Sequence, residues 1–146
     1  MNAGRIIISG VIIWIVGAIL GWLTCGWLFS WVYALPPNIW LTPEAMMSAG
    51  NMIGANVARL IGALLFALVF ALLYKGIPGQ GAKKGLVYGL LVWLVGALAG
   101  MASMPFFMTI ATTVVIYWII QGLVLNLISG AIVGALYREK SPAPAV

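Results

Sequence analysis

The sequence carries nine charged residues in 146, and only one of them, Arg59, stands inside an apolar run. The other eight lie at the ends of such runs or in the turns between them. Residues 6–32, 54–74, 85–101 and 106–137 are otherwise almost unbroken apolar stretches. A helix needs ~20 residues, at 1.5 Å rise each, to cross a hydrocarbon core. With 64% hydrophobic and 6% charged residues, the chain lacks the polar surface of a water-facing globule, in which about a quarter of residues are charged. The expected fold is all-α, a single integral membrane domain over 1–146 with four transmembrane helices.

The basic residues give this domain a direction. Arg5, Lys75, Lys83, Lys84, Arg138 and Lys140 all fall on one side of the runs, and the loops of the other side carry one charge, Glu44. Cytoplasmic loops concentrate Lys and Arg. Both termini are therefore expected in the cytoplasm, in a multi-pass protein of the cell inner (cytoplasmic) membrane. Trp22, Trp27, Trp31 and Tyr33 gather at the far end of the first run, where interfacial aromatic residues belong. That run exceeds the h-region of a cleaved signal, and its core recurs later in the chain, so it is expected to be a structural helix. Pro36-Pro37 cannot continue it. Thr42-Pro43-Glu44 then offers a hydroxyl N-cap, a first-turn proline and an acid at the positive helix end, so a short interfacial helix is expected from Glu44 to Ala49. For 106–117 two readings stand, a surface extension or part of a long tilted helix, because Trp118 already lies ~20 residues before Arg138.

The chain also contains one stretch twice. Gly10, Trp14, Gly17 and Gly21 align without a gap on Gly89, Trp93, Gly96 and Gly100, and Arg5 aligns with Lys84. The first helices align at an offset of 79, while the second helices, ending at Tyr74-Lys75 and Tyr137-Arg138, align at 63. The first hairpin thus has 16 extra residues in its far loop. The expected organisation is two tandem hairpins, repeat one over 5–75 and repeat two over 84–138, joined by a turn at 76–83 and followed by a tail at 139–146. Both hairpins start on the same side, so they are parallel copies related by a pseudo-two-fold axis along the membrane normal, unlike inverted transporter repeats.

Glycine-rich faces let helices approach closely in lipid, where apolar burial does not drive association. Gly10, Trp14, Gly17 and Gly21 form one such face, and Gly89, Trp93, Gly96 and Gly100 another. Spans one and three are expected to pack along them, with homodimerisation through the same faces as the rival. In the second helices, Gly122, Asn126, Gly130 and Gly134 form a small, polar stripe aligned with Arg59, Ala63, Ala67 and Ala71. Both stripes are expected to face protein.

Four residues are candidates for holding a ligand: Arg59, Asn126, Gln121 and Asn56. Arg59 lies 16 residues before Lys75, ~24 Å along the axis and so ~6 Å inside the far boundary of a ~30 Å core. It can snorkel to headgroups, pair with Glu44, or serve an anion as intramembrane charges often do. Asn126 can line a polar path or make an interhelical hydrogen bond. Cys25 reads as a packing residue, because no histidine exists to activate it. Asn51, Ser103, Thr109, Thr112 and Thr113, on the same side, can frame a shallow vestibule or bond helix backbone.

Catalytic chemistry finds little support. The two acids, Glu44 and Glu139, fall on opposite sides of the membrane, and general acid–base work needs positioned titratable groups. No metal set, cofactor motif or catalytic residue is expected. The scattered basic residues form no nucleic-acid face.

Residues 65–86 include Tyr74-Lys-Gly-Ile-Pro-Gly-Gln-Gly81. This turn and its flanks resemble a group of small uncharacterised prokaryotic membrane proteins with four spans and a Tyr-Lys-Gly-Ile-Pro-Gly-x-Gly cytoplasmic turn. The resemblance implies the topology and a prokaryotic inner membrane, and it transfers no functional residues. The leading expectation is a non-enzymatic accessory or scaffold subunit, or a small homo-oligomer, whose partners are the lipid bilayer and other copies or a larger membrane complex. The alternative is a small transporter or channel for a neutral or anionic solute, with Arg59 and Asn126 near its path. If so, function lies where the hairpins differ: Arg59 against Gly122, Ala63 against Asn126, and the longer first loop.

Overall fold

The computed structural model describes residues 2–37 and 39–137. In chain order its helices are α1 (Ala3–Leu28), α2 (Pro43–Met46), α3 (Ala49–Leu73), α4 (Gly81–Phe106) and α5 (Thr112–Leu136). All but α2 are long and apolar enough to cross a membrane. Within each of the four, no more than 22% of the most apolar window is buried inside the bundle. The apolar remainder faces outward, as it does when the solvent is lipid rather than water. Arg138, Lys140 and the tail 141–146 lie outside the described residues.

Local chemistry sets the boundaries. The Asn2 side chain accepts from the Arg5 amide at 3.3 Å and starts α1. Thr42 Oγ1 accepts from the Ala45 amide at 3.3 Å, with Pro43 in the first turn, and starts α2. That helix ends at Met46, and α3 begins afresh at Ala49, so the interfacial helix is shorter than expected. Gly79 and Gly81, at φ 94° and 52°, make the turn into α4 in a left-handed conformation that disfavours a Cβ. The long run 106–137 resolves as a non-helical segment after Phe106, where α4 ends in a 3-10 turn at Met104–Phe106, and a helix from Thr112. The aromatic end of α1 widens into a π-helical turn at Trp22–Leu28, and α4 does so in its middle, at Trp93–Leu98. These two stretches are not aligned in the repeat.

The expected seam between spans one and three is not where the close packing lies. The main partners of α1 are α3 and α5, and α4 packs most extensively on α5. A Cβ at Gly17, Gly21, Gly96 or Gly100 would meet nothing within 4 Å. Four of the eight glycines on those faces and in their Gly130-Gly134 counterpart behave otherwise: a Cβ at Gly89 or Gly130 would run into backbone of the facing helix, one at Gly134 would meet the Gly81 carbonyl oxygen at 2.5 Å, and one at Gly10 would meet Leu64 at 2.7 Å. Glycine spacing alone could not separate these groups, because the facing residue decides whether two backbones touch.

The basic end is tied together reciprocally. Lys84, buried, donates to the Tyr74 carbonyl at 2.7 Å with its ammonium 4.1 Å from the Tyr74 ring centroid. Arg5, its aligned counterpart, donates to the Leu136 carbonyl at 3.3 Å. Each cation thus caps the negative C-terminal end of the other hairpin's second helix. Between them, Phe66, Phe70, Tyr74, Tyr88 and Tyr137 pack ring against ring, with Tyr88 Oη donating to the Phe66 carbonyl at 2.9 Å.

Candidate functional site

Toward the aromatic end, α1 and α3 separate and leave a cavity of about 360 Å³ bounded by α1, α3 and α5. Its origin is visible in the two hairpins. In the second, Gly122 of α5 receives Trp93 and Ala97 of α4, which would stand 3.7 and 3.6 Å from a Cβ there. In the first, the residues aligned with that pair are Trp14 and Ala18, and the residue aligned with Gly122 is Arg59. A guanidinium side chain cannot be accommodated where a hydrogen atom suffices. Trp14, Ala18 and Arg59 all line the cavity that results.

Two of the four candidate ligand residues meet there, Arg59 and Gln121. Arg59 is exposed at the mouth, and among the described residues its guanidinium has no hydrogen bond and no ion pair, with Glu44 or any other acid. Gln121 Nε2 donates to Thr24 Oγ1 at 2.6 Å and contacts Cys25 Sγ at 2.9 Å. Cys25 also lies 3.7 Å from Tyr117 Oη. This node separates the cavity from a second hollow, lined by Tyr33, Trp40 and Met46 among others, toward the aromatic end.

The other two candidates are elsewhere. Asn126 Nδ2 donates at 2.8 Å to the Gly122 carbonyl of its own helix, and its backbone is the surface on which Gly89 rests. It therefore neither lines the cavity nor bonds a neighbouring helix. Asn56 likewise donates to Met52 of its own helix at 2.8 Å. Asn51 and Ser103 also bond backbone carbonyls, of Ala45 and Gly100. Ser129 and Leu125, also on the wall, were not singled out in the sequence, although they follow Gln121 at spacings of four, which is one helical face.

Three rings interlock toward the aromatic end. Trp118 Nε1 donates to Tyr33 Oη at 3.0 Å, and Trp40 packs edge-on to both rings at 4.9 and 5.6 Å. Burial, and then its contact with Cys25, raises the Tyr33 phenol well above its ordinary range. Tyr33 therefore stays a neutral hydrogen-bonding group at any physiological pH. Toward the basic end, Ala67, Phe70 and Val133 are fully buried and close the bundle below the cavity.

Trp14 and Trp93, which align in the sequence, differ in their hydrogen bonding. Trp93 Nε1 donates to the Ile119 carbonyl at 2.9 Å and braces α4 on α5. Trp14 Nε1 is buried with no partner. Trp93→Phe is expected to lower stability by about 0.6–1.7 kcal/mol, the range of interhelical hydrogen bonds in membranes. Trp14→Phe, which removes an unsatisfied donor, is expected to be neutral or stabilising. Thermal unfolding in detergent of the two variants side by side tests the contrast. No protein-family model, curated protein or solved structure matches this chain.

Proposed function

We propose that the protein is a non-enzymatic integral membrane subunit that holds an anionic group at Arg59, in the outer half of the inner membrane. On this reading both termini are cytoplasmic, and the two hairpins are parallel copies about an axis along the membrane normal. The reciprocal caps of Lys84 and Arg5 support that relation, and the one-sided basic residues support the orientation. The observation that carries the function is the unpaired Arg59 guanidinium at the mouth of a cavity of ligand-binding size. An intramembrane charge without an internal partner is costly unless something outside the fold satisfies it.

Holding fits better than conducting. The cavity stops against buried Ala67, Phe70 and Val133, and Asn126 is turned into its own helix. The open glycine face of Gly96 and Gly100 suits close approach by a partner helix in an accessory role. The test is thermal unfolding of detergent-purified protein with inorganic phosphate at constant ionic strength. At about ten times its Kd the anion should stabilise wild type by about 1.4 kcal/mol. Arg59→Lys should keep part of this and Arg59→Gln none. An equal shift in Arg59→Gln defeats the proposal, and phosphate flux through proteoliposomes favours conduction instead.

A further inference from the structure

We infer that the group held at Arg59 is the phosphate of an acidic phospholipid from the outer leaflet, which enters the cavity sideways with one acyl chain along α1. The inference rests on the reading of Arg59 as an anion site and names its occupant.

Three features select a lipid over a dissolved anion. The first is the direction of the mouth. Above the cavity stand the Gln121–Thr24–Cys25 node and the interlocked Tyr33, Trp40 and Trp118 rings, and below it the fully buried Ala67, Phe70 and Val133. Arg59 and Gly62 are exposed beside Val57 and Ile61, which are half-exposed apolar side chains on a membrane-facing helix. Access is therefore from the hydrocarbon side. The second is the groove itself. A Cβ at Gly17, Gly21 or Gly62 would meet nothing within 4 Å, although all three line the cavity. The missing side chains leave an apolar trough beside Ile13, Phe66 and Leu125, which suits a methylene chain better than a hydrated ion. The third is charge and depth. Arg59 stands 10 residues into α3 from Ala49, ~15 Å along a helix whose ~37 Å length exceeds the ~30 Å hydrocarbon core. Its long side chain can extend from there to the phosphate level, where a fork of N–H donors matches two phosphate oxygens. A zwitterionic headgroup presents the same two oxygens but already balances them with its own ammonium, whereas an acidic headgroup leaves its charge for Arg59 to neutralise.

The test is native mass spectrometry of the full chain released from mixed vesicles of phosphatidylglycerol and phosphatidylcholine, with inorganic phosphate binding measured in parallel on the same samples. Wild type, Arg59→Gln, Arg59→Lys and Gly62→Leu are compared. Gly62→Leu fills the trough without touching the charge, and open space there lets it fold. Wild type is expected to retain one phosphatidylglycerol in preference to phosphatidylcholine. Arg59→Gln should lose about tenfold or more of that preference, as a charge-assisted hydrogen bond predicts. Arg59→Lys should keep part of it, and Gly62→Leu should lose the lipid while its Arg59 still binds phosphate. Phosphate binding that depends on Arg59 with no retained lipid overturns the inference and leaves the anion site standing. Loss of both overturns both. Lipid retained equally by all four proteins marks an annular lipid and overturns the inference. A dimer that Gly62→Leu dissolves, free of lipid, shows that a second copy fills the trough and overturns it as well.

Discussion

Gly130→Leu is expected to leave little or no folded protein. Gly130 lies where α4 and α5 meet backbone to backbone, and a Cβ there would run into the Gly85 carbonyl. A Cβ on Gly85 would in turn run into the Gly130 carbonyl. Overpacking costs about 1–3 kcal/mol where side chains can shift aside. Here the obstacle is main chain held in two regular helices, so the helices must separate, and the cost should exceed about 3 kcal/mol. The consequence is severe because in lipid this contact is not backed by a hydrophobic effect. Close van der Waals approach is what holds the pair, and separating the helices forfeits it. Size-exclusion profiles and thermal midpoints in mild detergent read the outcome. Gly96→Leu and Gly100→Leu are the controls, since open space surrounds both positions. Those two should be stabilised by up to about 1 kcal/mol through helix propensity. Similar behaviour of all three variants would show that the α4–α5 contact is absent.

This contrast marks where the sequence was legible and where it was not. Span number and the Thr42 cap follow from local rules, run length and capping chemistry, whereas α4 starts at Gly81, inside the stretch 76–83 expected as a turn. Helix partners do not follow from such rules. The faces of Gly10 to Gly21 and Gly89 to Gly100 have identical spacing, yet only the basic-end glycine of each pairs closely with a facing helix. What stands opposite, Leu64 for Gly10 and Asn126 for Gly89, comes from the second helices and depends on how each pair crosses. Asn126 was misplaced for a similar reason. Its position in mid-helix suggested a long-range polar role, but a short amide reaches the carbonyl one turn back in its own helix, and there it stays.

One difference between the aligned hairpins bears on the candidate site. Aligning the hairpins sets Arg59 against Gly122, and this substitution separates a zipped helix pair from an open one. Trp93 and Ala97 close on Gly122, whereas Trp14 and Ala18 stand back from Arg59. The sequence could not show that Gln121 would join Arg59. Gln121 belongs to α5, and its place depends on α1 packing against α5 as well as α3. The hairpin difference thus located the cavity, and the bundle arrangement furnished its remaining wall.

Phe70→Ala is expected to cost about 2–3 kcal/mol, below the ~3–5 kcal/mol of the same change in a water-soluble core. Phe70 is fully buried, with ring centroids of Tyr88, Tyr74 and Tyr137 at 5.2, 5.6 and 5.9 Å. In water, part of the loss is the transfer of an apolar ring out of solvent. A helix released into lipid keeps that part, because its ring stays in hydrocarbon. What is lost is the filled volume, at ~24 cal/mol per Å³ of cavity, and edge-on ring contacts worth about 0.5–1.5 kcal/mol per pair. Phe70→Leu, which restores most of the volume but none of the ring contacts, should fall near half of that cost. Thermal unfolding gives both values, and near-ultraviolet dichroism reports whether the tyrosines keep a fixed environment. If Phe70→Leu is as damaging as Phe70→Ala, ring contacts dominate; if it is nearly neutral, volume does. A second readout follows from position. Phe70 is one turn beyond Phe66, which lines the cavity, so its removal extends the hollow toward the basic end. Proteoliposomes of Phe70→Ala should then leak small anions that wild type retains. Tight vesicles combined with the expected loss of stability would show that Ala67 and Val133 seal the bundle without the ring.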